Sequence, residues 1–348
     1  MNLDRVNART VHAALALAVR APSVHNTQPW RWRFRDGTLH LYADRARWLT
    51  ATDPEGRDLL LSCGAVLHHL RVALAALGWA ATVHRLPTPV EPDHLAVVEP
   101  HRRPDLAGTG TQMTAAIVRR RTDRRSFVDR AVPATLLNQL GEVAAAEQAR
   151  LVTVTDPADR AELADVIARA ELLQERNLDI WYETARWSGK RPGTSDGVPA
   201  ANVPTEQRYG DVALRRFTTG ALAQPQTAIL EGDGATLAVL TTASDSRLSR
   251  LRAGEALSAV LLAATDAGLA SCPLSQAVEI VDTRRLLRQR LLPREAAVPQ
   301  LILRLGWPAW VPEGSLPIPP TPRRAVEDVL DGASAEPCGT DSTGMERS

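Results

Sequence analysis

Cysteine is scarce: Cys63, Cys272 and Cys338 are the three in 348 residues, far apart and without a CxxC pair. That spacing argues against a disulfide framework and against a zinc site, and points to a reducing compartment. Net charge is lacking too, since 41 basic and 40 acidic residues leave a formal +1, too little to gather nucleic acid or a membrane surface from a distance. No apolar run approaches the ~20 residues of a membrane span, and "MNLDRVNART" offers no apolar leader core. The expectation is a soluble, cytoplasmic protein with no metal, membrane or nucleic-acid partner. What the chain does have is core, with 44% hydrophobic residues over a length that can fill two core-forming units.

Helical periodicity marks Asn7 to Arg20, Asp58 to Leu77, Thr111 to Arg121, Pro133 to Gln148, Pro157 to Tyr182, Gly254 to Gly268 and Asp282 to Leu291. Short β-type runs lie between them: "TLHLYAD", "AATVHRL", "HLAVVE", "RLVTVTD", "TLAVLTT" and "PQLILRLGW". Residues 331–348 are polar, rich in Gly and Ser and without periodicity, so a disordered tail is expected. Two helical stretches match each other: Gly64 and Gly78 are spaced as Gly254 and Gly268 are, with Leu67 matching Leu257 and Ala73 matching Ala263. A duplicated Ala/Leu-rich helix, ended by a glycine suited to a left-handed cap, accounts for this. Two unrelated Ala-rich helices account for it equally well.

Two polar stretches carry chemistry. "RAPSVHNTQPWRW" leaves the first helix with far more hydrogen-bonding capacity than a turn needs, in Ser23, His25, Asn26 and Gln28. "IVRRRTDRRSF" gathers arginines around Thr122 and Asp123, which reads either as a solvated basic face or as a phosphate clamp built from guanidinium forks, the Thr122 hydroxyl and backbone N–H groups. No RRM-like aromatic pattern or zinc-finger spacing accompanies it, which weakens a nucleic-acid reading.

"RRRTDRRSF" is similar to the phosphate-binding signature of nitroreductase-fold flavoproteins, and "APSVHNTQPWRW" resembles their APS-x-x-N-x-QPW motif. Their order is reversed here: the APS motif lies in the first half and the basic motif opens the second. That arrangement resembles the Acg-like nitroreductases, in which two nitroreductase-like repeats fused in one chain imitate a homodimer. The resemblance implies an α+β, nitroreductase-like fold in two repeats, 1–110 and 111–330, forming an intramolecular pseudo-dimer that is a monomer in solution. It further implies one FMN, with Arg120, Arg121, Thr122 and Arg124 at the phosphate and Pro22, Ser23, His25, Asn26 and Gln28 reaching over from the first repeat. Pro273, Leu274, Ser275 and Gln276 match the segment lying along the flavin, although they depart from the acidic or glycine residue the family often has there. Arg323 and Arg324 match a C-terminal basic pair that returns to the phosphate.

On this resemblance the chain is an NAD(P)H oxidoreductase passing a hydride through flavin N5 to a nitroaromatic, quinone or similar acceptor. No catalytic side chain is assigned. His25 is expected to make a hydrogen bond within its own loop in preference to one with a ligand. The stretch from about Trp181 to Phe217, rich in Pro and Gly and carrying Trp187 and Tyr209, is long for a loop and reads as a lid over the flavin. A lid keeps a second function open, storage or sequestration of FMN with little turnover.

Overall fold

The computed structural model describes residues 5–331 apart from 107, 109, 191–192, 206–209, 225–232, 293–296 and 309–317. Tyr209 of the expected lid and residues 332–348 of the expected tail lie outside the described residues. Asp331, placed in that tail from composition, is instead in a strand and bonded to Arg33.

The first helix, α1 (Ala8–Ala18), starts where Asn7 accepts the Thr10 N–H. Two strands follow, β1 (Trp30–Arg35) and β2 (Thr38–Ala43), then the core helix α2 (Arg57–Ala76), β3 (Trp79–Arg85) and β4 (His94–Arg102). With the short β11 (Leu330–Asp331) they form a sheet in the order β11-β1-β2-β4-β3, antiparallel except where β1 meets β11. Strand β1 is hidden inside the QPW motif: Trp30 and Trp32 point into the core while Arg31, Arg33 and Arg35 point outward, an alternation of period two.

The second half runs through α3 (Thr111–Arg119), α4 (Ala134–Ala146), β5 (Arg150–Val154), α5 (Pro157–Glu175) and α6 (Leu178–Trp187). A small pair, β6 (Ser188–Lys190) and β7 (Val198–Pro199), precedes β8 (Thr236–Thr242). The second core helix α7 (Arg247–Asp266), β9 (Ala270–Leu274), α8 (Val281–Leu291) and β10 (Val298–Gly306) complete it. Its sheet, ordered β5-β8-β10-β9, is antiparallel and covered on both faces. Ala238, Leu240, Leu301 and Leu303 pack with α7, and Leu237, Val239 and Ile302 pack in the cluster that α5 and α8 share. The stretch read as one helix from Pro157 to Tyr182 is two, because Asn177 breaks it and caps α6 through the Asp179 and Ile180 N–H groups. Likewise α7 starts well before Gly254, at a cap formed by Ser246.

Helices α2 and α7 cross at their matching glycines. A Cβ on Gly64 would stand 2.0 Å from the Leu251 oxygen, and one on Gly254 would stand 2.0 Å from the Leu61 oxygen, so backbone packs on backbone there. Gly78 and Gly268, at φ 78 and 82, end the two helices in the left-handed conformation that their placement predicts. Helix α2 is also long and apolar enough to cross a membrane, but 78% of that apolar window is buried as core.

Candidate functional site

The loop between α1 and β1 is strained. His25, Asn26 and Gln28 all hold positive φ, at 49, 54 and 52, which side chains other than glycine rarely adopt. Its bonds explain what holds that shape. Asn26 Nδ2 donates to the Gly197 and Pro322 oxygens, each at 3.0 Å, and Gln28 Nε2 donates to the Ser195 oxygen at 2.9 Å. Gln28 Oε1 accepts the Arg324 N–H at 2.9 Å, and Ser23 Oγ accepts the Gln28 N–H. Asn26 and Gln28 therefore tie the loop to the 188–222 segment and to the C-terminal segment.

Pro22, Ser23 and His25 face a cleft. Its opposite wall is Pro273, Leu274, Ser275 and Gln276, at the end of β9, with Thr122 and Arg124 beside them. Thr122 reaches this wall because it bridges Ser271 of β9 in parallel register and the Asp123 N–H donates to the Ser271 oxygen at 2.9 Å. Leu61 and Ser62 of α2 and Leu257 of α7 complete the floor, so both core helices contribute.

Four arginines, Arg20, Arg120, Arg121 and Arg323, gather at one corner, beside Thr122 in the chain but outside the residues that line the cleft. Arg120 is 5% exposed, and its Nε and Nη1 have no hydrogen-bond partner among the described residues; the Nε atoms of Arg121 and Arg323 are in the same state. Burial, reinforced by Arg121 and Arg20, lowers the Arg120 pKa to about 10. Burial and then Arg120, Arg20 and Arg121 hold Arg323 well below the usual guanidinium range. Every charge acting on these two is another guanidinium, so the corner repels itself and leaves donors unmet. An anion with several acceptor oxygens would satisfy both defects.

Arg323 reaches that corner while bonded to Asn26 Oδ1 at 2.8 Å and to the Arg20 oxygen at 3.2 Å. Arg324 does not join it: its guanidinium lies 3.6 Å from Asp44 and bonds to the Gln28 and Trp30 oxygens. Within the basic motif the roles also divide. Arg125 closes a buried ion pair with Asp123 at 2.9 Å, whereas Arg124 faces the cleft.

The segment read as a lid begins as helix α6, and its last residues, Leu214, Arg215 and Phe217, line the cleft. Phe217 meets the His25 ring edge-on at 5.7 Å and lies under the Arg124 guanidinium at 4.9 Å. Arg124 also donates to the Asn202 oxygen, Asp196 pairs with Arg47 at 2.9 Å, and the Gly197 N–H donates to the Asn26 oxygen. His25 makes no bond within its loop: both ring nitrogens are buried without a partner among the described residues. Burial and then Arg215 and Arg124 push its pKa well below the ordinary value, so the ring is neutral.

Sequence reading missed Arg20, Arg215, Phe217 and Ser62. Arg20 stands just before the APS motif and signals itself only weakly. Arg215 and Phe217 sit in the "LRRF" that ends the lid stretch, and only tertiary folding brings them to the cleft.

No family model matches the chain. Two Mycobacterium tuberculosis (strain ATCC 25618 / H37Rv) proteins, each named "Putative NAD(P)H nitroreductase", are similar along nearly their whole length. One is 42% identical over 337 residues, 95% of this chain and 94% of its own. The other, acg, is 38% identical over 326 residues, 93% and 96% of the two chains. Among solved structures, a nitroreductase with bound FMN from Bacteroides fragilis NCTC 9343 aligns at TM-score 0.37 and 19% identity, over 60% of this chain and 93% of its own. The FMN and NADPH-dependent nitroreductase NfnB of sphigopyxis sp. strain HMH aligns at 0.38 and 17%, over 63% and 97%.

Proposed function

This chain belongs to the Acg-like nitroreductase family, and from that membership we propose that it holds one FMN in the cleft beside β9 and passes a hydride from NAD(P)H to a nitroaromatic, quinone or similar acceptor. The observation that carries the proposal is the corner formed by Arg20, Arg120, Arg121 and Arg323. Its unmet donors and self-repulsion suit a phosphate dianion, with the Thr122 hydroxyl at the cleft side. When bound, FMN supplies the two-electron chemistry. The chain's part is to bind and cover. The Pro273 to Gln276 wall and the Pro22 to His25 loop would hold the flavin between them, and Phe217, edge-on to His25, would cover it. Neutral His25 presents one donor and one acceptor to whatever fills the cleft.

The two sheets, each with its own core helix, are read as two repeats, 1–110 and 111–330, that imitate a dimer, with β11 crossing back to the first sheet. The Gly64 and Gly254 crossing is the natural axis of that pseudo-dimer. Only one site forms in this account. Counting from Gly78 as from Gly268, the residue matching Ser275 is Arg85, whose guanidinium is committed to the fully buried Glu255 at 2.7 and 2.8 Å. Where a twin cleft would open, an ion pair closes it. Storage of FMN is the second reading, favoured by the number of bonds that pin the covering segment to the APS loop.

The test is a pair of titrations of flavin-free protein with FMN and with riboflavin, followed by mixing the loaded protein with NADH or NADPH. FMN should bind at least about tenfold tighter, roughly 1.4 kcal/mol, and should bleach on mixing. Equal affinities for the two flavins would overturn the phosphate corner, and FMN that binds but resists both nicotinamides would leave storage as the function.

A further inference from the structure

Beneath the cleft lies a group of carboxyls that the proposed function does not use. Asp58, in the first turn of α2, is 3% exposed, and its Oδ2 has no hydrogen-bond partner among the described residues. Glu279 is near enough for its carboxyl to act on that of Asp58. Two ionised carboxylates have no proton to bond with, so the missing bond is supplied when one of them is protonated. Burial, then the charges of Asp53 and Glu279, raises Asp58 well above the usual carboxylate range, against the pull of Arg215. Asp53 is itself raised to about 7 by burial, although it accepts the Arg57 and Leu59 N–H groups at 2.7 and 2.9 Å. Glu279 is held by the Gln174 amide and by the Arg215 guanidinium, which also donates to Ser275 Oγ in the cleft wall.

A second observation connects this group to the cleft. Asp53 and Asp58 line a small cavity with room for a single water, shared with Val24, Thr27, Arg47 and Ser62. Ser62 lies one helical turn after Asp58, on the same face of α2, and lines the large cleft as well. Its hydroxyl accepts the Val24 N–H at 3.4 Å, so its own proton can turn toward either chamber.

We propose that Asp58 and Glu279 share a proton that serves the cleft, passed through the water-sized cavity and the Ser62 hydroxyl. The inference rests on reading the cleft as a redox site. A quinone that takes a hydride from reduced flavin needs one proton to become a hydroquinone, and a covered cleft holds little bulk water to give it. Asp58 releases that proton to the cavity water. Ser62 accepts one from the water and gives its own to the quinone oxygen, and the carboxyl pair regains one from solvent. The charged and titratable groups facing Asp58 are Asp53 on the preceding loop, Glu279 after β9, Arg215 before β8 and Arg47 across the small cavity.

Infrared spectroscopy of the flavin-free protein tests the proton store without any appeal to FMN. At about pH 8, above the value of about 7 to which Asp53 is raised, the wild type should show a protonated-carboxyl C=O stretch that shifts in heavy water. Asp58→Asn should abolish it and Glu279→Gln should shift it, while Ser62→Ala should leave it in place. The second arm uses FMN-loaded protein reduced by NAD(P)H: reoxidation by a quinone should slow at least about tenfold in both Asp58→Asn and Ser62→Ala. No such band in the wild type, or a band unchanged in both Asp58→Asn and Glu279→Gln, would overturn the store. A band that behaves as expected with wild-type reoxidation in Ser62→Ala would overturn the route. Failure to bind FMN would sink the proposed function and leave the infrared result standing.

Discussion

Gly64→Ala should cost this protein more stability than any surface substitution, and the reason lies in three atoms. The added carbon would stand 2.0 Å from the Leu251 oxygen, 2.9 Å from the Glu255 nitrogen and 2.9 Å from the Gly254 Cα. All three are backbone atoms, so no side chain can turn away and α2 must move off α7 by more than an ångström. Overpacking typically costs about 1–3 kcal/mol, and with only backbone to displace we expect about 3 kcal/mol or more. Because Leu61, Ser62 and Leu257 floor the cleft, FMN affinity should fall with stability. Gly141→Ala in α4 is the control, since a Cβ there meets nothing within 4 Å; it should raise stability by about 0.5–1 kcal/mol. Urea denaturation of the flavin-free proteins gives both shifts. A Gly64→Ala protein within about 0.5 kcal/mol of wild type would refute the backbone crossing, and Gly64→Ala with Gly254→Ala should cost less than their sum because the first already parts the helices.

Arg120→Ala should lose at least about tenfold in FMN affinity, or ~1.4 kcal/mol, and barely change riboflavin binding; isothermal titration with both ligands decides. Asp196→Ala breaks the partly exposed pin to Arg47, worth about 0.2–1 kcal/mol, and should speed release of bound FMN up to about fivefold, while an unchanged release rate would show that this segment does not gate the cleft. His68 bonds to Ser258 in the buried seam between α2 and α7, and burial lowers its pKa from 6.5 to about 4. The unfolded chain binds its proton first, so stability is present above about pH 6.5 and is lost as pH falls toward 4. Between pH 7 and 5 that loss is about 2 kcal/mol. Asp53, raised to about 7, works in the opposite sense, so the comparison to make is wild type against His68→Gln: the variant should lose about 2 kcal/mol less over that interval, and parallel profiles would contradict the assignment.

How much of this was readable beforehand depends on the range of the interaction. The matched glycines, Asn7 as a cap and the alternating strands are local signals, and they placed both core helices and most strands. Strand β1 is hard to see because its alternation is buried in a motif rich in chemistry, and the start of α7 is hidden because "SDSRLSRLR" is polar on most of its first turns. The site was legible as motifs but not as contacts. Nothing near Asn26 or Gln28 says that they grip Gly197 and Ser195, more than a hundred residues away. Adjacent Arg323 and Arg324 look like one feature, yet only Arg323 meets the arginine corner while Arg324 lies by Asp44. Asp58 looks like an ordinary acidic residue in a helix's first turn; only the arrival of Glu279 from the second half makes it a buried carboxyl pair.

The claim that most needs a direct measurement is that one chain builds one complete site from its two halves. Flavin-free protein should be saturated with FMN, freed of excess ligand, and measured for released flavin per chain and for mass by light scattering on the same sample. The account predicts one FMN per chain on a particle of about 38 kDa, close to the 37.7 kDa of the chain itself. Two FMN per chain would contradict the closing of the twin cleft by Arg85 and Glu255. An obligate dimer in which Arg120→Ala in one chain is rescued by a partner chain carrying a defective APS loop would contradict a site built within a single chain.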